Sequence, residues 1–143
     1  MSYVSKHRAV WDWLSGCEGL ARRFFNFGAA GAGNTIIIPT DSSDGADFID
    51  GTERRTYAVE LIRFTPITFD AGDDGNIDML DAVDAIGQWI EAQAAAGSYP
   101  EFPEGCTVTG IDVFDTIAGS AVAVDGLYAK YMLPFSIHYE KTL

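Results

Sequence analysis

Apolar and polar positions along this chain alternate with two different periods, and the places where the period changes mark its elements. Tyr3, His7, Val10, Leu14 and Cys17 recur at helical spacing, flanked by Trp11 and Trp13, which predicts a first helix. It should end near Ser15-Gly16, where a glycine can take the left-handed terminating conformation. Arg22 to Phe27 reads equally well as a helical turn or a strand. Residues 28–33, all glycine and alanine, are expected to connect rather than pack. Thr35-Ile36-Ile37-Ile38 is a β-branched run, and Pro39 is expected to stop it. Residues 41–47 are polar and turn-rich, and Asp50-Gly51 is a turn signal.

From Tyr57 to Phe69 the pattern changes to two-residue alternation. Tyr57, Val59, Leu61, Ile67 and Phe69 share one strand face, with Arg63 and Thr65 between them, and Pro66 is expected at an edge or bulge. An acidic turn, Asp70 to Gly75, leads to an amphipathic helix over residues 77–96. Asn76 is the expected N-cap and Gly97 the expected stop. Its apolar stripe is Ile77, Leu80, Val83, Ile86, Gly87 and Ile90; Asp78, Asp81, Asp84, Gln88 and Glu91 form the wet face. Residues 107–117 read as a strand and residues 118–126 as a loop. In the last strand Leu127, Ala129, Tyr131, Leu133, Phe135, Ile137 and Tyr139 face the core. With no internal repeat or linker, the chain reads as a single domain over residues 1–143. Its expected fold is α/β (α+β): a mixed, mainly antiparallel sheet with the central and N-terminal helices packed on one face.

Charge sharpens this picture. The 143 residues carry 9 Lys and Arg against 21 Asp and Glu, a formal net charge of -12, which repels nucleic-acid phosphates. Cys17 and Cys106 lack zinc-site spacing and read as small buried apolar residues. The amino terminus has no signal-peptide pattern and no run approaches a membrane span, so a cytoplasmic origin is expected.

The chemistry-bearing residues form no catalytic constellation. Asp70, Asp74, Gly75, Asp78 and Asp81 resemble part of a calcium loop, but Gly72 stands at its third position and the shorter Asp81 at its twelfth. Residues 28–33 lack the Lys-Ser/Thr ending of a phosphate loop. His7 and His138 have no second histidine at ligand spacing, and no glycine-flanked nucleophile elbow occurs. The reading is therefore not an enzyme, with no catalytic residue, cofactor or resident metal. The paired basic residues Arg22-Arg23 and Arg54-Arg55 are the candidate interface cations, meeting acidic patches such as Asp73-Asp74 on a neighbouring copy. Asp78, Asp81, Asp84 and Glu91 form an acidic helix face.

The order of these elements resembles that of the small tail-terminator (neck) proteins of long-tailed bacteriophages, also described as minor capsid proteins. The similar features begin with the N-terminal helix and Asp50-Gly51 before Tyr57-Ala58-Val59-Glu60-Leu61. The acidic turn, a helix containing Gln88-Trp89-Ile90-Glu91, and Tyr99-Pro100-Glu101 follow. A strand pair runs from Ala129-Lys130-Tyr131 through Ile137-His138-Tyr139-Glu140. The likeness covers residues 48–141; the stretch around Gly31 does not align with the family pattern. The resemblance implies a virion protein of the head–tail neck. It would assemble as a six-membered ring on a finished tail tube, stop tube growth and offer a surface for head joining. Its partners would be itself, the tail tube protein and a head connector protein, with DNA passing through unbound. The alternatives are a head-completion or connector subunit, or a small metal- or ligand-binding module using residues 70–81.

Overall fold

A computed structural model describes residues 5–20, 23–26, 34–47, 51–66, 74–113, 122–124 and 128–142. Helix α1 spans Lys6–Leu14, with Ser5 as N-cap: its hydroxyl accepts from the Arg8 amide at 3.1 Å. The helix ends at Ser15 in right-handed geometry, and Gly16 is not among the residues with positive φ. The expected glycine terminator is thus replaced by a rolling turn that leads into the short 3-10 segment Glu18–Leu20.

The ambiguous stretch after it resolves as a short strand, β1 (Arg23–Phe25), parallel to β2 (Thr35–Asp47). Strand β2 passes through Pro39 and takes in residues 41–47, which were expected to form a loop. Backbone alternation explains how. The Ile37 carbonyl accepts from Asn26 on the β1 side, so Pro39, two residues on, turns its missing donor the same way. There β1 has already ended, and no ladder bond is lost. Strand β3 (Thr52–Pro66) returns antiparallel after Gly51, whose φ of 87° is the left-handed geometry the turn needs. Pro66 closes β3, paired with Tyr128 of β6; the residues that would oppose it on the β2 side lie outside the described ones. Ile67 and Phe69 lie outside the described residues.

Helix α2 spans Asp74–Ala96, so Asn76 lies within the helix and is not its cap. Gly97 (φ 71°) ends it as expected, and the Ser98 amide bonds back to the Gln93 carbonyl at 2.9 Å. Strand β4 (Cys106–Val113), β5 (Val122–Val124) and β6 (Tyr128–Thr142) follow; β5 falls inside the expected loop 118–126. The sheet order is β1-β2-β3-β6-β4, with β5 pairing the start of β6 on the same side as β4. Every pairing except β1–β2 is antiparallel, which gives the mixed α+β architecture.

Both helices pack on one sheet face. Tyr57, Val59 and Leu61 of β3 and Leu133, Phe135, Ile137 and Tyr139 of β6 are buried beneath Val10 and Leu14 of α1 and Val83, Ile86 and Ile90 of α2. Each such side chain contributes on the order of 2 kcal/mol as an upper estimate. Close approaches lock the layers together: a Cβ at Gly19 would stand 2.9 Å from Ile86 Cγ1. Trp13 packs at a tilt against Trp89, ring centres 5.1 Å apart, and donates its indole N–H to the Ser98 carbonyl at 2.8 Å. No described helix is long and apolar enough to cross a membrane.

Candidate assembly surfaces

The sheet's second face is set by register. Phe24, Ile36, Ile62 and Met132 are neighbours across β1, β2, β3 and β6, forming one apolar row. The next rows turn polar: Ile38–Glu60–Pro134, then Thr40–Ala58–Ser136–Asp112. Among the described residues no helix covers this face, and its apolar members are only partly buried.

At the β1 edge, α1 and β1 frame an open cleft of about 550 Å³ lined by Ser5, His7, Arg8, Trp11, Arg23, Phe24 and Phe25. The guanidinium of Arg23 lies 4.2 Å from the centre of the Trp11 ring. It also donates to the carbonyls of Leu20 and Trp11, each at 3.3 Å. Arg8 is exposed on the outer side of α1. The Trp11 and Phe25 rings and two guanidinium groups thus meet on a chain that is strongly acidic elsewhere.

Behind the cleft lies a polar network that sequence periodicity did not reveal. Lys6 donates to Asp41 and, at 2.9 Å, to the Tyr139 hydroxyl, which itself donates to Asp41 at 2.7 Å. His7 Nδ1 lies 2.7 Å from the Tyr57 hydroxyl, and the Phe102 ring packs edge-on against both tyrosines. Burial opposes charge on Lys6 and Asp41. Their mutual hydrogen bond and those to Tyr139 outweigh it, raising the lysine pKa and lowering that of the aspartate. Burial raises the pKa of both tyrosines, most strongly Tyr57. The network ties the first turn of α1 to β2, β3 and β6 and so fixes the cleft's inner wall. Asp41 was hidden by its reading as a loop residue; the alternation of β3 and β6, carried across to β2, was the signal that could have found it.

The expected interface residues do not gather in one place. Arg23 is at the β1 edge, level with Arg63; Arg55 lies eight residues along β3, roughly 26 Å away by strand rise. Arg55 sits 3.7 Å from Glu53, and Arg54 is partnered within the chain. Arg22 and Asp73 lie outside the described residues, and Asp74 is the first residue of α2. Asp78, Asp81 and Glu91 are exposed on α2, and Asp84 is half-buried. The chain is helical from the fifth position of the calcium-like pattern onward, and no metal-holding group of three acidic, His or Cys side chains converges among the described residues. His138 is satisfied structurally, by Thr56 at 3.2 Å and Asp112 at 2.8 Å. Cys17 is buried and Cys106 partly so; burial raises the Cys17 pKa, which keeps it an unreactive thiol.

The α2 stripe divides in two. Val83, Ile86 and Ile90 are 1, 2 and 0% exposed, whereas Ile77 and Leu80 are 59% and 38% exposed. The helix therefore presents two apolar side chains, flanked by Asp78 and Asp81, to solvent at its amino-terminal end. No known family model matches the chain, and no curated protein matches it significantly.

Proposed function

We propose that this chain is a structural subunit of the tail-terminator kind, closing as a six-membered ring on the end of a phage tail tube. In that role it ends tube growth and offers a head-joining surface, by shape and charge. The observation that carries the proposal is the one-sided layering: both helices take one sheet face, and the opposite face bears the apolar row Phe24–Ile36–Ile62–Met132, which no described helix covers. A partly exposed apolar row of this kind suits a protein surface completed by other subunits. The resemblance over residues 48–141 supplies the identity of those subunits. A ring that binds a tube end without re-presenting it stops polymerisation.

Six copies at -12 each gather roughly -72 of charge, a repulsion that divalent cations relieve. The free protein is expected to be monomeric in low salt and to associate with added Mg²⁺. Negative-stain imaging with and without magnesium tests the reading: closed six-membered rings support it. Monomers in every condition, together with tube growth unaffected by the protein, would overturn it. Binding to the head connector in preference to the tube would instead favour the head-completion role.

A further inference from the structure

We propose that the cleft at the β1 edge takes the amino-terminal end of α2 from a second copy of the chain, in a head-to-tail contact. This rests on the ring reading above and assigns its lateral interface. Four observations carry it. The first 26 residues hold four of the nine basic residues, Lys6, Arg8, Arg22 and Arg23, against Asp12 and Glu18 alone. No Lys or Arg occurs between Arg63 and Lys130, a stretch that includes all of α2. The cleft offers rings from Trp11 and Phe25 beside Arg8 and Arg23, in about 550 Å³. The helix end offers Ile77 and Leu80, both exposed, between Asp78 and Asp81. The two surfaces therefore match twice: apolar against aromatic, acidic against basic.

Their placement also suits one another. The cleft opens at the β1 edge, while α2 packs over β4, β6 and the 3-10 segment Glu18–Leu20, so cleft and helix end are two separate patches. Two different patches of one chain that bind each other make a heterologous contact, the kind that closes into rings when its rotation permits. The exposed cationic side chain best placed to meet the helix is Arg8, since Arg23 is partly spent on Trp11 and two carbonyls.

A charge-swap experiment on the full chain tests this. Arg8→Glu and Asp81→Arg both change exposed positions, and circular dichroism is expected to match that of the native chain. Each variant alone sets like charges against each other, and sedimentation velocity in magnesium should show association weakened by roughly tenfold or more. Mixed in equal amounts they should associate again, because each cleft then finds a helix of opposite charge. Variants that associate like the native chain, or a mixture that does not recover, would overturn the assignment and leave the ring reading standing. A native chain that never associates, even on a tube end, would overturn both.

Discussion

The two halves of α2 share one apolar period and meet opposite fates. From Val83 to Ile90 the stripe is sealed against β6, the Gly19 turn and Trp13; over Ile77 and Leu80 the same stripe faces water. Periodicity sets which face of a helix is apolar, and the reach of its neighbours sets how much of that face is buried. Here the glycines at 16 and 19 let the turn after α1 close down on α2 at Trp89 and Ile86, and no comparable contact is described further toward Asp74. The buried half stabilises the monomer. The open half is apolar surface available to a partner.

Substitutions that put charge into the sealed half give the largest contrast. Ile90→Asp, and equally Ile137→Asp in the same core, should abolish folding, since an unpaired buried carboxylate costs more than a marginally stable domain can spare. Cooperative urea unfolding of either variant would break the distinction at its strongest point. Ile86→Ala should lower stability by about 2–4 kcal/mol in the same assay, through lost burial and the cavity left against Gly19. Gly19→Ala probes the same contact from the other side. Its Cβ would stand 2.9 Å from Ile86 Cγ1, a branch close to the helix backbone, and the expected loss is about 1–3 kcal/mol.

A smaller effect tests the inner wall of the cleft. The Asp41 pKa is lowered in the folded chain, so its stabilising contribution is present above the ordinary aspartate value near 3.9 and is lost as pH falls through the lower folded value. The Lys6 pKa is raised, so its contribution is present below about 10.4 and is lost as pH rises through the folded value. Asp41→Asn should cost about 1 kcal/mol at neutral pH, given the partial exposure of the pair. Urea midpoints from pH 7 down to pH 2 should show the native chain converging on the variant in acid. A gap that stays constant across that range would remove Asp41 from the network.

The legible parts of the chain were those whose neighbours repeat. The core face of β6, the Tyr57–Leu61 face of β3, the stop at Gly97 and the α+β class all follow from patterns sustained over many residues. Strand β2 beyond Pro39 was not legible, because a strand of polar residues such as Asp41 and Ser42 is held by pairing with β3 rather than by its own composition. Helix α2 starts at Asp74, ahead of Asn76, in a run of aspartates and glycine that favours turns and helix starts alike. The cleft was less visible still. His7 belongs to the α1 pattern and Phe25 to an ambiguous segment, and only the parallel pairing of β1 with β2 brings them together, with ring centres 5.6 Å apart. The charge pairs Arg22-Arg23 and Arg54-Arg55 look alike as sequence, yet the sheet places Arg23 far from Arg54 and Arg55 along the strands.

The smallest expected effect on the monomer separates the two halves of α2 most sharply. Leu80 is 38% exposed, so truncation removes less buried area than at a sealed position and opens no sealed cavity; Leu80→Ala should change unfolding free energy by no more than about 1 kcal/mol. The same substitution removes one of the two apolar side chains the helix end can offer a neighbouring cleft. Association in magnesium should therefore weaken by more than the small loss of monomer stability accounts for. Ile86→Ala should show the reverse order, with stability falling first and association only through the loss of folded chain. Leu80→Ala that destabilises the monomer by 2 kcal/mol or more would mean that this turn is sealed in solution after all. The two halves of α2 would then be one continuous core stripe.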